Sequence, residues 1–223
     1  MDTSATAPLS AVELATGPDP RHAIIWLHGL GADGNDFVPI VPELTRGLPP
    51  LRLVFPHAPL RGVTLNGGLR MRAWYDIRSL DLRERVDHAG LQQSVAQVQA
   101  LLLREQHEHG IAPAHVVLAG FSQGGAVALA SALADPQALA GVVALSTYLP
   151  PDRAAVPGLP PRAIFVGHGS FDPIVPPVLG EAARDALRGA GHAVEWHAYP
   201  MAHAVLPQEI ADLREWLARR LRD

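Results

Sequence analysis

Short apolar runs alternate with longer helical patterns along most of the chain, and this alternation constrains the fold more than any other sequence feature. Buried strands are predicted at 23–28, 51–55, 115–120, 141–145, 163–167 and 193–199. Helices are predicted at 86–108, 124–133, 178–190 and 204–221. Near-continuous apolar strands that alternate with helices are typical of α/β proteins. The sequence therefore predicts a mostly parallel, doubly wound sheet with helices on both faces and no large cap domain.

The length of 223 residues fits one folded unit. We interpret residues 1–20 as a loose or partly paired N-terminal segment and residues 21–223 as a single domain. The densest proline stretch, 149–161, is expected to be an irregular surface excursion within that domain.

Composition excludes several kinds of chemistry. The chain has no cysteine, which excludes disulfides, thiolate metal sites and a cysteine nucleophile. All 18 basic residues are arginine, so a Schiff-base lysine and a P-loop lysine are excluded as well. The net charge of −4 argues against a nucleic-acid or anionic-membrane partner, whose binding requires a basic face.

The sequence carries no targeting signal that we recognise. The first 20 residues contain neither Arg nor Lys, and the apolar runs are too short to span a bilayer. We therefore expect a cytoplasmic protein without stable membrane insertion.

A nucleophilic serine is predicted at Ser122. Gly120-Phe121-Ser122-Gln123-Gly124 has the pattern G-x-S-x-G and lies between a predicted strand and a predicted helix. A serine on so sharp a turn needs glycine two residues before it and two residues after it, because side chains at those positions would collide. The alternative is a helix-capping serine in a glycine-rich turn.

A serine hydroxyl needs a histidine base and an orienting carboxylate, which in this type of fold follow in the order serine, acid, histidine. Asp172 follows the strand 163–167, and His203 follows the strand 193–199. We predict these two side chains as acid and base. The competing residues are placed less well for this role: Asp152, Asp185, His192 and His197.

The glycine-rich segment 29–34 after the first buried strand has two interpretations. It matches the dinucleotide fingerprint G-x-G-x-x-G, which would indicate an oxidoreductase. However, no acidic residue lies between Glu43 and Asp76, where the ribose-binding carboxylate is required. We therefore favour an oxyanion loop, with the backbone N–H groups of Leu30 and Gln123 as donors.

Five motifs in this order resemble those of the phospholipase/carboxylesterase family, which includes the acyl-protein thioesterases. The motifs are His28-Gly29-Leu30-Gly31, Trp74-Tyr75-Asp76, Gly120–Gly125, Asp172–Pro176 and Met201-Ala202-His203. The resemblance covers about residues 20–222 and implies an α/β hydrolase that cleaves carboxylic esters and thioesters without a cofactor. The sequence contains no H-E-x-x-H motif, so we expect no metal dependence. It implies Ser122, Asp172 and His203 as the triad, with Leu30 and Gln123 as oxyanion donors. One departure is Ala204, where the family often has serine.

The resemblance also bears on the substrate. Segment 59–76 resembles the substrate-side loop of the family, in which Leu65, Met71 and Trp74 would bind the acyl group. The alternative is that these side chains pack the loop against the protein. The expected partner is a small acyl ester or thioester, with lysophospholipid as a further option, and the resemblance is compatible with a homodimer. A hydrolase scaffold without catalysis remains the alternative from another functional class.

Overall fold

A seven-stranded sheet forms the centre of the molecule in the computed structural model, which describes residues 9–79, 82, 84–151 and 159–222. The strands are β1 (Ala11–Ala15), β2 (His22–Leu27), β3 (Leu51–Pro56), β4 (Leu60–Val63), β5 (Leu69–Arg72), β6 (Val116–Phe121), β7 (Gly141–Leu145), β8 (Ala163–Gly169) and β9 (Ala193–Tyr199). The α-helices are α1 (Val41–Leu44), α2 (His88–His109), α3 (Gln123–Ala134), α4 (Pro177–Gly189) and α5 (Pro207–Arg220).

The order in the main sheet is β1-β3-β2-β6-β7-β8-β9. All neighbouring pairs are parallel except β1 with β3. Strands β4 and β5 form a separate antiparallel hairpin. The six predicted strands and four predicted helices are all found, with bounds that differ by at most three residues.

Strand β1 belongs to the N-terminal segment 1–20 and pairs with the main sheet. It runs antiparallel along the outer edge of β3, and Glu13 and Arg52 of these two strands form an ion pair. Arg52 Nε also lies 2.6 Å from Glu105 Oε2 of α2. Residues 1–8 of this segment lie outside the described residues, as does most of the proline-rich excursion with Asp152.

The two faces of the sheet are covered by separate groups of apolar side chains. Alternate residues of β2 point to opposite faces: Ile25 and Leu27 pack on the side of α2 and α3, whereas Ile24 and Trp26 pack on the side of α1 and α5. This two-layer burial is what the near-continuous apolar strands predict. Because the helices cover the two faces of the sheet, the loops lie at the carboxyl ends of the strands.

The loops at these carboxyl ends contain the sequence-predicted site residues. They follow β2, β6, β8 and β9, and three of these four strands are followed by Ser122, Asp172 or His203. Across the described ranges, no helix is both long enough and apolar enough to cross a membrane.

Candidate active site

Ser122 lies on a sharp turn between β6 and α3. Its φ of 54° and ψ of −121° lie in a region that L-residues rarely adopt. A Cβ at Gly120 would lie 2.4 Å from the Gly124 backbone, and one at Gly124 would lie 2.3 Å from the Leu27 carbonyl oxygen. The two glycines therefore permit a close approach that any side chain would prevent, which agrees with the steric argument from the sequence.

Neighbouring backbone and side-chain groups hold this turn. Ser122 N–H donates to the Leu145 carbonyl at 2.9 Å, and the Ser122 carbonyl accepts from Thr147 Oγ1 at 2.6 Å. The turn is thus fixed to β7 and to the residues after it. The strain at Ser122 persists because these contacts determine its conformation.

His203 and Asp172 form a short hydrogen bond. His203 Nδ1 lies 2.7 Å from Asp172 Oδ2. Asp172 Oδ1 accepts from the N–H groups of Ile174 and Val175, each at 2.9 Å. The Asp172 carboxylate can only accept hydrogen bonds, so His203 Nδ1 must carry the proton that is shared with it. His203 Nε2 then has a free lone pair and is available as a base. The ring of Phe121 packs on the imidazole, with ring centroids 4.7 Å apart.

His168 supports the loop that carries Asp172, a role that the sequence argument missed. His168 Nε2 donates to the Val175 carbonyl at 2.9 Å, and the same nitrogen lies 3.8 Å from Asp172 Oδ2. Burial lowers the pKa of His168, which keeps the ring neutral. The signal available in the sequence was a histidine between two glycines directly before the Asp172 loop.

The backbone N–H groups of Leu30 and Gln123 have no acceptor among the described residues. Gln123 is the first residue of α3, where the N–H groups lack intrahelical partners and the helix dipole favours negative charge. Leu30 and Gln123 both line the cavity that contains Ser122. The arrangement provides donors for a developing oxyanion.

His28 fixes the loop that contains Leu30. His28 Nδ1 donates to the Gly29 carbonyl at 2.7 Å, and Ala58 N–H donates to His28 Nε2 at 3.0 Å. These bonds define a neutral tautomer, and burial lowers the pKa of His28. The loop is held further along by Gly31 N–H, which donates to the Arg72 carbonyl at 2.9 Å.

The Gln123 side chain connects the serine turn to the segment that follows β5. Its Oε1 accepts from Trp74 N–H at 2.8 Å, and its Nε2 donates to the Tyr75 carbonyl at 2.7 Å. Trp74 Nε1 in turn donates to the His28 carbonyl at 2.9 Å. Gln123, Trp74 and His28 thus link three loops at the same end of the sheet.

A cavity of about 450 Å³ brings several predicted site residues together. The lining includes Leu30, Ser122, Gln123 and His203, together with these mostly apolar residues: Leu65, Ile77, Leu82, Phe121, Tyr148, Ile174 and Val175. Asp172 is buried behind His203. Within the described residues, no hydrogen bond joins the Ser122 hydroxyl to His203, and such contacts are often long in enzymes without substrate.

The three predicted acyl-binding residues differ in their placement. Leu65 lines the cavity. Trp74 is fully buried in the core, and Met71 lies in β5 beside the loop that carries Leu30, with its sulfur 3.8 Å from where a Cβ of Gly31 would be. Neither Trp74 nor Met71 belongs to the cavity lining. Trp74 contacts the site through hydrogen bonds, from its backbone N–H to Gln123 and from its Nε1 to the His28 carbonyl.

The described competitors of Asp172 and His203 have other partners. Asp185 pairs with Arg184 in α4, and His192 Nδ1 accepts from Arg162 N–H at 3.1 Å. His197 lies within β9 and contacts Glu195. Over the ranges that the structure describes, no group of three His, Cys, Asp or Glu side chains is arranged to hold a metal ion.

The sequence matches one family model over residues 10–221, and this family is described as phospholipase/carboxylesterase. The chain is 36% identical over 238 residues to acyl-protein thioesterase 1 of Cryptococcus neoformans, and the match covers 96% of this chain and 100% of that protein. It is 35% identical over 210 residues to the carboxylesterase SOBER1 of Arabidopsis thaliana, with 91% of this chain and 92% of that protein covered.

Solved structures show the same architecture. The crystal structure of Zea mays acyl-protein thioesterase 2 superposes with a TM-score of 0.82 at 28% sequence identity and covers 96% of this chain and all of that chain. The predicted α/β-hydrolase fold is therefore confirmed.

Proposed function

This chain belongs to the phospholipase/carboxylesterase family, and we propose that Ser122, His203 and Asp172 form the catalytic triad of its hydrolase activity. The family and its relatives establish a serine hydrolase that acts on ester bonds of acyl substrates. The hydrogen bond between His203 and Asp172, at the cavity that also contains Ser122, is the observation that carries the proposed triad.

In the first half of the reaction, the Ser122 hydroxyl attacks the substrate carbonyl. His203 Nε2 accepts the hydroxyl proton while the bond between Oγ and the carbonyl carbon forms. The negative oxygen of the tetrahedral intermediate is bound by the N–H groups of Leu30 and Gln123. The intermediate then releases the alcohol or thiol, which receives the proton from His203, and an acyl-enzyme remains.

In the second half, water replaces the alcohol or thiol. His203 Nε2 takes a proton from water, whose oxygen attacks the acyl carbon. When this intermediate breaks down, the carboxylic acid leaves and Ser122 regains its proton. Asp172 keeps the imidazole in the required tautomer throughout and stabilises the imidazolium form.

The cavity supports an apolar acyl group as substrate. Its described lining is mostly apolar, and a volume of about 450 Å³ is large enough for a short or medium acyl chain. Both esters and thioesters are proposed substrates, since relatives include acyl-protein thioesterases and a carboxylesterase.

Lysophospholipid hydrolysis, a cytoplasmic location and a homodimer stay predictions.

Replacement of the nucleophile tests the proposed triad. We expect Ser122→Ala to reduce kcat by at least about 10⁴-fold, because no other group replaces the attacking oxygen. The measurement is the hydrolysis of p-nitrophenyl esters with acyl chains of different length, beside one acyl thioester. The matched control is Ser170→Ala, which changes an exposed serine outside the cavity lining and should leave the rate unchanged.

A fluorophosphonate provides a second measurement on the same variants. Wild type should gain one covalent adduct at Ser122, and Ser122→Ala should gain none. An unlabelled wild type, or a Ser122→Ala variant with full turnover, would contradict the proposed triad and favour a binding function for this scaffold.

A further inference from the structure

The wall of the active-site cavity contains one carboxylate, Asp36, among its described residues. His203, the proposed base, also lines this cavity. No arginine lines the described part of this cavity. A negative charge therefore faces a cavity that is otherwise mostly apolar.

Asp36 differs from the other carboxylate of the same loop. Asp33 Oδ1 accepts from the backbone N–H of Asn35 at 2.7 Å and from its side-chain amide at 3.0 Å. The carboxylate of Asp36 has neither a hydrogen bond nor an ion pair with any residue in the described part of the chain. Its backbone N–H donates to the Asp33 carbonyl at 3.1 Å, which fixes its place in the turn.

Among the residues that the structure describes, no cation compensates the charge of Asp36. Partial burial of its carboxyl and the nearby charge of Asp33 raise the pKa of Asp36. A positive group in the cavity would interact favourably with this carboxylate at little desolvation cost, since Asp36 is exposed to solvent.

The apolar side chains of the cavity and the Asp36 carboxylate favour different parts of a substrate. Leu65, Ile77 and Leu82 come from the segment after β4, whereas Asp36 comes from the loop after β2 that also carries Leu30. An acyl chain gains free energy from the apolar side chains and would lose it beside an unpaired carboxylate. The alcohol or thiol part of the substrate is therefore the part that benefits from Asp36.

We propose that Asp36 is a specificity-determining residue that favours esters and thioesters whose alcohol or thiol part carries a positive charge. The inference rests on the proposed function, because it assigns the substrate class of the same Ser122 site. It also implies that esters and thioesters whose alcohol or thiol part places a negative charge near Asp36 are hydrolysed less efficiently.

Two esters of the same acid test the role of charge without a change of shape. Choline hexanoate and 3,3-dimethylbutyl hexanoate differ in a quaternary nitrogen that replaces a quaternary carbon. We expect wild type to prefer the choline ester in kcat/KM and Asp36→Asn to reduce this preference by about two- to fivefold. The preference of wild type should also fall as the salt concentration rises.

The control variant is Glu108→Gln, which removes one negative charge from an exposed position of α2 and should keep the wild-type ratio. The inference would be overturned if the ratio of the two kcat/KM values were the same in Asp36→Asn as in wild type, whether or not both values fall. Failure of the proposed function gives a separate result, since wild type would then hydrolyse neither ester and would not react with fluorophosphonate.

Discussion

Ser122 combines its proposed chemistry with a conformation that is unfavourable for a residue with a side chain. Its φ of 54° with ψ of −121° places Cβ close to its own backbone. The hydrogen bonds to Leu145 and from Thr147 hold it there. The free energy of unfolding of the protein is therefore lower than it would be with glycine at this position.

We expect Ser122→Gly to raise the free energy of unfolding by about 1 kcal/mol while it removes activity, because glycine adopts this conformation without strain. Urea unfolding followed by circular dichroism measures the change. In the control Ser131→Gly, glycine replaces a serine within α3, and we expect a loss of about 1 kcal/mol. A Ser122→Gly variant as unstable as this control would show that the turn is not strained.

The sequence was informative about single residues where a motif defines the local structure. Ser122, Asp172 and His203 could be placed because G-x-S-x-G has a steric reason and because chemistry collects at the carboxyl ends of parallel strands. The burial of Trp74 was not predictable, since it depends on hydrogen bonds to Gln123 and His28, which are distant in sequence. A charged side chain in a glycine-rich loop resembles ordinary surface, so Asp36 carried no signal either.

At the scale of elements, the position of α3 depends on its contact with β2. A Cβ at Gly124 would lie 2.3 Å from the carbonyl oxygen of Leu27 and 2.5 Å from that of His28. Both atoms belong to the backbone, so they cannot turn away as a flexible side chain would. The first turn of α3 must lie directly against the end of β2 for the proposed nucleophile and the proposed oxyanion loop to meet.

We therefore expect Gly124→Ala to lower the free energy of unfolding by about 3 kcal/mol and to reduce activity strongly, because α3 must shift away from β2. Gly189→Ala is the matched control, since nothing lies within 4 Å of a Cβ there. This change at the end of α4 should stabilise the protein by about 0.5–1 kcal/mol. Equal effects of the two substitutions in urea unfolding would contradict this account.

The β4–β5 hairpin was not predicted from the sequence, because its residues show only a weak local pattern. The hairpin of β4 and β5 has exposed Leu60 and Leu69 and a buried Val63, so it shows no clean alternation. It depends instead on contacts with other segments, such as the bonds that Thr64 makes through its N–H and hydroxyl to Asp76. The longer strands and helices were predictable because their own apolar periodicity defines them.

At the scale of the whole molecule, one buried acid makes stability depend on pH. Glu209 in the first turn of α5 is fully buried, and its carboxyl oxygens have no partner of good hydrogen-bond geometry among the described residues. Burial raises its pKa from 4.5 to about 8, although the nearby Leu206 backbone N–H offsets part of this effect. Glu209 is therefore protonated in the folded protein at neutral pH.

Because the folded pKa lies above the unfolded value, the unfolded state releases the proton first as pH rises. The stabilisation that protonated Glu209 provides is complete below pH 4.5 and is lost progressively up to pH 8. Glu209→Gln should thus have nearly wild-type stability at pH 4.5 and exceed wild type by about 4 kcal/mol at pH 8.

Urea unfolding of both proteins at several pH values measures this difference. Glu215→Gln, at an exposed position of the same helix, should follow the wild-type curve throughout. A Glu209→Gln advantage that did not change with pH would mean that Glu209 is not protonated in the folded state.

The order of the strands has a consequence for synthesis of the protein on the ribosome. The proposed nucleophile follows β6 in the middle of the sheet, whereas its base follows β9, the last strand to be made. A nascent chain that ends at β7 contains the serine but neither the proposed acid nor the proposed base, which follow β8 and β9. Under the proposed roles, the partly translated protein cannot hydrolyse acyl groups in its surroundings, and reactivity begins when the segment after β9 leaves the exit tunnel.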